Sequence, residues 1–554
     1  MPILTQLERV GGIALSIRSI GIALVAIVAT TFGFTGSVHA EWLKAETKHF
    51  IIYGDTSERS MRAYAEKVER FDTFLRTYYP VQSEYEIPKL EIYLANGRRD
   101  MLRAEPRIGP SVAGFYSPNS GRIHAVVNAE SRGGDLTLFH EYGHHFMYQM
   151  AANAYPSWFV EGFAEYYSTA DVRPDRIQFG RHDEGRMTYF VQLPANSWAP
   201  MADVLQWKIS DSGRYRAGDY YAQAWGLTHY FMSTPERTRM LGLYLAAVTN
   251  GEDSVQAMER ITGRSTSQLQ DDMRLYLSGA IQIHTPQIQF PTPEVAVSRL
   301  SREQAELLWL DLRLDREPVK VEVADPPEGE TDRARQRREM LIRESAEDRA
   351  QLIQDALGAG VGSGNELLRL RVVARGHRLA GNSREGFRVL EPHLTRDQAD
   401  PDLLRLAAEL LMDETDQDTE ASEARGNRRE AITYLARSLD ADPLNFLTYR
   451  ALNETRRGEP GYPSDNDIST LDVAFKLAPQ SFDIRMRLAQ AYMSRARYDE
   501  AIEVLRPVAN SPHGGSWSRR AKALVATAQA ESGQAVNPVS QAPEEATAIE
   551  APTE

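Results

Sequence analysis

The segment LFHEYGHHFMY, residues 138–148, contains two histidines four positions apart, with a glutamate directly after the first. On a helix, residues at i and i+4 share a face, so His140 and His144 can direct both imidazoles at one metal ion. Glu141 lies beside that pair, where a carboxylate can take a proton from an attacking water. His145 points away from His140 and is expected to pack or to support the site from outside the ligand set. The motif alone is also compatible with an ordinary histidine-rich helix.

A third ligand is needed to complete such a site, and the sequence offers one downstream. EGFAEYYS begins after a spacer of 16 residues from His144, and Pro156 and Ser157 before it are suited to beginning a helix. Glu161 is the first acid of that helix, and Glu165 follows on the same face. Two histidines with Glu161 form a His2Glu set with an open fourth position, the arrangement of catalytic zinc. Glu165 could accept a hydrogen bond from the non-ligating nitrogen of a zinc histidine.

HEYGH, the spacer and WFVEGFAEY together resemble the gluzincin zinc metallopeptidases, the thermolysin-like and aminopeptidase-like superfamily. The resemblance covers roughly residues 110–235 and implies that Glu161, in E-G-x-A-x-Y, is the third zinc ligand. It also implies a zincin-like fold with an edge strand that binds substrate backbone, for which AGFYS at 113–117 is the candidate. The sequence has no G-x-M-E-N segment, the feature with which aminopeptidases recognise a free amino terminus. Endopeptidase and exopeptidase action therefore both stay open.

The same resemblance implies a hydrogen-bond donor for the transition state. In DYYAQAWGLTHYF, residues 219–231, the segment Y-A-Q-A-W is similar to the one that carries a catalytic tyrosine in aminopeptidase-like members. Tyr221 is the candidate, because a phenol there could hydrogen-bond the oxyanion of a tetrahedral intermediate. Two alternatives remain: Tyr220 and Tyr221 only pack, or His229 is the donor.

The elements around these motifs alternate between strand-like and helix-like patterns. HFIIYGD (49–55) and KLEIYLA (89–95) read as strands, and residues 60–79 between them read as an amphipathic helix. Residues 111–130 read as a hairpin whose turn is the Pro-Asn-Ser-Gly run. These elements predict an α+β unit over residues 41–282, and the resemblance implies that it is a zincin-like catalytic domain.

An all-α helical-repeat domain is expected after that unit. Residues 283–360 are rich in proline and charge and are predicted to be a linker or small connecting module. Over 361–533, Pro443, Pro479 and Pro512 are 36 and 33 residues apart, near the period of a tetratricopeptide repeat (TPR). The acidic tail at 534–554 is predicted to be disordered. Six residues fall at the spacing of one repeat, and four more match a second: Leu488, Ala489, Tyr492, Tyr498, Ala501 and Leu505, then Ala431, Leu435, Leu439 and Pro443.

The first 40 residues resemble an export signal rather than part of the fold. A weakly basic start is followed by an apolar run from Ile20 to Phe34 and by SVHA, where Val38 and Ala40 satisfy a small-x-small cleavage rule. The alternative is an uncleaved anchor, although the run is shorter than the roughly 20 residues that a spanning helix needs. The chain contains no cysteine, so a metal site must use histidine and carboxylate. A periplasmic or secreted protein without a stable membrane span after cleavage is expected.

These features predict a zinc-dependent peptidase that acts on a peptide or protein substrate, with a further protein partner bound by the repeats. The alternative is a periplasmic TPR-type interaction protein whose peptidase-like domain binds zinc but turns over little. The net charge of −14 and the absence of a basic cluster argue against nucleic acid as a partner.

Overall fold

Eight strands are present in the described part of a computed structural model of the protein. The structure describes residues 41–80, 87–118, 121–130, 134–150, 153–182, 184–192, 198–206, 215–319, 330–359, 366–395, 400–415, 421–513 and 515–533. The strands are β1 (Glu41–Glu46), β2 (Phe50–Thr56), β3 (Leu90–Ala95), β4 (Gly114–Ser117), β5 (His124–Asn128), β6 (Asp171–Val172), β7 (Ile177–Gln178) and β8 (Ala296–Arg299). Six of them form one sheet in the order β4-β5-β3-β2-β1-β8, and β6 pairs with β7.

The centre of the six-stranded sheet is parallel. β2, β3 and β5 run in the same direction, whereas β4 and β8 pair antiparallel at the two edges. Phe50, Ile52 and Ile92 are fully buried. Burial of the central strands on both faces explains why they are nearly continuous apolar runs. The strands predicted at 49–55 and 89–95 are confirmed, and the predicted hairpin is the β4–β5 pair.

Three helices form the layer that carries the candidate site. α3 (Gly134–Met150) lies on β4 and β5, and α4 (Ser157–Ser168) packs against both α3 and α7 (Ala217–Phe231). Gly143 faces Ala164 between α3 and α4, and Gly162 faces Ala224 between α4 and α7. A Cβ at Gly162 would lie 2.5 Å from the Ala224 carbonyl oxygen, so a larger residue there would force these helices apart. The helices of this region are α1 (Glu58–Tyr78), α2 (Gly97–Ala104), α3 (Gly134–Met150), α4 (Ser157–Ser168), α5 (Glu184–Gln192), α6 (Met201–Gln206), α7 (Ala217–Phe231), α8 (Pro235–Thr249), α9 (Ser254–Thr262) and α10 (Thr266–Leu277).

The segment predicted as a linker or connecting module packs onto the sheet. β8 extends the sheet beyond β1, and α11 (Arg302–Arg316) follows it. Leu308 and Trp309 of α11 share a buried cluster with Tyr93 of β3. The described residues of 283–360 therefore belong to the packed structure, although the helix α12 (Asp332–Gly358) is largely exposed.

A buried charge cluster joins this segment to the helices that follow. Asp311 of α11 is fully buried and forms ion pairs with Arg122, Arg371 and Arg375. Burial would raise the pKa of Asp311, but the three guanidinium groups outweigh burial and hold the pKa well below its usual range. The ionised carboxylate therefore stabilises the junction between the sheet, α11 and the helical region.

The described residues from 366 onward are helical, apart from their turns. Successive helices pack in pairs, as in the α19–α20 pair. Leu488 of α19 and Leu505 of α20 are fully buried. Pro443, Pro479 and Pro512 each follow the end of a helix. The helices are α13 (Glu366–Leu379), α14 (Ser383–Leu390), α15 (Pro401–Thr415), α16 (Ala421–Ala441), α17 (Phe446–Arg456), α18 (Asp465–Leu477), α19 (Phe482–Ser494), α20 (Tyr498–Asn510) and α21 (Gly515–Glu531).

Contacts divide the chain into Met1–Glu41 and Trp42–Glu554. The second unit contains both the sheet and the helical region, and the domain boundaries at 282 and 360 stay predictions. Within the described ranges, no helix combines the length and the apolar character that crossing a membrane requires. The predicted signal at 1–40 and the tail at 534–554 lie outside the described residues.

Candidate metal centre

The three residues proposed as ligands converge although they lie on two helices. His140 and His144 occupy adjacent turns of α3, and Glu161 lies in α4. The two histidine Nε2 atoms lie 3.1 Å apart, and Glu161 Oε2 lies 3.7 Å from each of them. Glu161 is fully buried and His144 is nearly so. One donor atom of each residue, Nε2 of each histidine and Oε2 of Glu161, therefore faces a common point at which an ion could bind.

This donor set fits a divalent metal ion. Tetrahedral ligands of zinc, at about 2.0 to 2.1 Å from the ion, stand about 3.3 Å from one another, close to the separations found here. Burial lowers the pKa of His140 to about 4 and that of His144 to about 3, so both imidazoles keep a free lone pair at neutral pH. Within the described ranges, neither carboxylate oxygen of Glu161 has a partner in full hydrogen-bond geometry, although Nε2 of His513 lies 2.9 Å from Oε1. A cation would satisfy these buried oxygens.

Glu165 lies on the outer side of the ligand set. Its Oε1 is 3.4 Å from Nδ1 of His140, the ring nitrogen that does not face the other two ligands. Arg186 of α5 donates to both oxygens of Glu165, at 2.9 and 2.5 Å. The orientation of His140 therefore rests on a series of contacts from Arg186 through Glu165. The sequence analysis missed Arg186, because nothing in its local pattern sets it apart from other surface arginines.

Glu141 lies between the ligands and the edge of the sheet. Burial raises the pKa of Glu141 to about 7, and a backbone hydrogen bond from Tyr116 of β4 opposes this shift. The Tyr116 hydroxyl also lies 3.0 Å from Nδ1 of His145. His145 thus contacts the edge strand and does not join the ligands. The strand at 113–117, expected beside the site, borders the Glu141 carboxylate.

The two neighbouring tyrosines of α7 have different surroundings. Tyr220 is buried in the core, with 2% of its surface exposed. The ring of Tyr221 lies 6.2 Å from the ring of His140, between centroids, and the guanidinium of Arg186 lies 5.1 Å from the Tyr221 centroid. Tyr221 therefore lies beside His140. Burial raises the pKa of Tyr220, and Glu161 lies close enough to add to that increase.

His229, the rival donor, is engaged elsewhere. Its Nε2 lies 2.8 Å from the Gly180 carbonyl oxygen, and its Nδ1 lies 2.8 Å from the Tyr276 hydroxyl. Burial lowers the pKa of His229 to about 4. Since both ring nitrogens face these partners, His229 is part of the packing between α7 and α10.

A histidine from the helical region also reaches the metal centre. Nε2 of His513, in the turn between α20 and α21, lies 2.9 Å from Oε1 of Glu161. About half of the His513 side chain is exposed; desolvation of the remainder would lower its pKa, but Glu161 outweighs desolvation and raises the pKa to about 9. Burial would likewise raise the pKa of Glu161, but His513 and His144 outweigh it and lower the pKa to about 2. No sequence signal marks this lone histidine, more than 350 residues from Glu161 along the chain.

The fold and the site together define a class of protein: an α+β unit with a buried His2Glu cluster, joined to a helical region. A family described as "Protein of unknown function (DUF1570)" matches residues 136–249, which include every site residue above except Tyr116 and His513. No curated protein matches the chain. Among solved structures, a thermophilic TPR protein of Thermus thermophilus is similar, with 16% sequence identity and a TM-score of 0.28. The match covers 34% of this chain and 95% of that one.

Proposed function

We propose that the protein is a zinc-dependent peptidase. The observation that carries the proposal is the convergence of His140, His144 and Glu161 from two helices, with Glu141 beside them. A zinc ion held by these ligands would act as a Lewis acid on a peptide carbonyl and would lower the pKa of a water.

The residues of the chain account for the remaining steps of peptide hydrolysis. Glu141 accepts a proton from the attacking water and delivers it to the leaving amine. Glu165, held by Arg186, keeps the His140 ring directed at the ligand point. The Tyr221 phenol donates a hydrogen bond to the oxyanion that develops on the substrate.

The sheet edge supplies a means of binding an extended substrate. β4 is an edge strand, paired on one side with β5, and its Tyr116 borders Glu141. An extended peptide can add to such an edge through main-chain hydrogen bonds, which would lay its backbone alongside the metal centre. The proposed substrate is therefore an extended segment of peptide or protein.

The first test separates metal binding from chemistry. Glu161→Ala removes a ligand, so zinc affinity and peptide cleavage should both fall sharply. Glu141→Gln leaves both imidazoles free but cannot accept a proton, so it should keep zinc and lose rate by about 10² to 10⁴. Tyr221→Phe should keep zinc and lose rate by about 10². Zinc content and turnover are measured on the full chain, with a peptide library and with and without chelator.

Two results would contradict the proposal. Parental turnover in Glu141→Gln would show that the carboxylate has no catalytic role. Parental zinc affinity in Glu161→Ala would show that the metal is bound elsewhere.

A second function, protein binding by the helical region, is supported by a cavity in that region. The cavity has a volume of about 440 Å³ and is lined by charged side chains of several helices, among them Arg378, Glu409, Arg450 and Arg487. An interaction protein would bind its partner here whether or not the metal centre is active. Partner capture that is unchanged in Glu141→Gln, with no cleavage by the parent of any library peptide, would favour this function alone.

We also propose that the protein is exported to the periplasm or beyond, because residues 20–34 form an apolar run and a VHA cleavage site follows it. Mass spectrometry of the protein from its native cell envelope should find a chain that begins at Glu41. A membrane fraction that holds the chain with an intact Met1 would establish the anchor instead.

A further inference from the structure

We propose that the helical region completes the metal centre through His513, a positioning residue for the ligand Glu161. This inference rests on the proposed function, because it requires that Glu161 binds a metal ion. It assigns a role in the site to a residue that lies outside the matched family segment 136–249.

The two oxygens of Glu161 face different partners. Oε2 lies 3.7 Å from Nε2 of both His140 and His144, whereas Oε1 lies 2.9 Å from Nε2 of His513. A carboxylate held in this way presents one oxygen to the metal and the other to the imidazole. Contacts of this kind orient a metal ligand and reduce its freedom to turn away.

The turn that carries His513 is attached directly to the two ligand-bearing helices. Ser157, the first residue of α4, donates to the Asn510 carbonyl oxygen at 2.7 Å, and Asn510 Nδ2 donates to the Ala154 carbonyl oxygen at 3.0 Å. The Tyr148 hydroxyl of α3 donates to Ser511 Oγ at 3.3 Å. These contacts are made two and three positions before His513, so the position of its side chain follows from how the helical region docks.

Removal of this imidazole would leave Oε1 of Glu161 buried without a charged partner. Glu161 is fully buried, and among the described residues that contact its carboxylate His513 is the cationic one, because His140 and His144 are neutral. The freed oxygen would compete for the metal ion or draw the side chain out of place. Metal affinity and coordination geometry should therefore depend on His513.

The test uses full-length variants and two measurements on the metal itself. Zinc affinity is measured by competition with a chromophoric chelator, and the visible spectrum of the cobalt(II)-loaded protein reports coordination geometry. His513→Ala should lower zinc affinity by about 10- to 100-fold and change the cobalt spectrum. His513→Gln, whose amide N–H can replace Nε2, should recover most of the affinity. His393→Ala, a histidine elsewhere in the helical region, is the matched control and should behave like the parent.

The outcomes separate the two proposals. If Glu161→Ala loses zinc but His513→Ala keeps both the parental affinity and the parental cobalt spectrum, the metal centre stands and the role of His513 is overturned. If His513→Gln loses as much affinity as His513→Ala, the polar contact between His513 and Oε1 of Glu161 is overturned as the cause. If the parent binds no zinc, the proposed function fails together with this inference. Because 52% of the His513 side chain is exposed, neither variant should unfold the protein.

Discussion

Gly162 is where the packing of the site can be tested most directly, by the substitution Gly162→Ala. The added Cβ would lie 2.0 Å from Thr228 Oγ1 and 2.5 Å from the Ala224 carbonyl oxygen. The threonine hydroxyl can rotate away, but the carbonyl belongs to the backbone of α7. To reach an ordinary contact of 3.4 Å, α4 and α7 must separate by 3.4 − 2.5 = 0.9 Å.

The expected change in the free energy of unfolding of Gly162→Ala follows from two opposing effects. Overpacking of a tight interface costs about 1 to 3 kcal/mol, and a rigid backbone contact places Gly162→Ala near the upper value. The higher helix propensity of alanine returns about 1 kcal/mol. We therefore expect a net loss of about 2 kcal/mol in the free energy of unfolding. Because Glu161 is the adjacent residue, the same displacement should also lower zinc affinity.

The assay is urea unfolding followed by circular dichroism, together with the zinc competition measurement. Gly242→Ala in α8 is the control, because a Cβ there meets no atom within 4 Å. That variant should gain up to about 1 kcal/mol from helix propensity and keep the parental zinc affinity. If Gly162→Ala is as stable as the parent, or gains stability as Gly242→Ala does, the close contact between α4 and α7 is refuted.

Two further predictions concern charges away from the metal centre. Asp311→Asn should cost about 3 to 5 kcal/mol, because it removes the buried carboxylate that Arg375 and the partly buried Arg122 and Arg371 share. Asp332→Asn is the control, because 90% of that side chain is exposed, and it should change the free energy of unfolding by less than about 1 kcal/mol. If the two variants lose the same free energy of unfolding in urea, the buried cluster does not stabilise the junction. Burial would lower the pKa of His49, but Asp72 and Glu69 outweigh burial and raise it. The stability from this group should therefore be complete below its unfolded pKa of about 6.5 and should be lost as pH rises through the folded pKa. His49→Gln should flatten that part of the pH profile of unfolding, and an unchanged profile would exclude the ion pair as its cause.

The candidate ligand types could be predicted from the sequence because the spacing within each helix is local, whereas the approach of Glu161 to the two histidines depends on how α3 and α4 pack. His140 and His144 share a helix face through their spacing, and so do Glu161 and Glu165. Helical periodicity thus determines which side chains point together once each helix forms. The central strands could be predicted for a similar reason, since burial on both faces leaves a continuous apolar run.

The connecting segment shows where local pattern was insufficient. Its prolines and charges are typical of a linker, yet β8 pairs with β1, about 250 residues earlier in the chain. Such a pairing depends on backbone hydrogen bonds between distant strands, which impose little on the residue types of either one. Asp311 likewise reads as a surface acid until three arginines from other elements surround it.

The sequence by itself determined the two helical motifs, the residue types of the candidate metal site and the repeating helical pattern, because each of these depends on neighbours within a few turns. Only the tertiary structure decided that Tyr221 lies beside His140, that Arg186 holds Glu165, and that His513 contacts Glu161. These contacts join elements far apart in the chain. They arise from the way whole helices pack, and a single polar residue in a turn carries no periodicity that would reveal its partner.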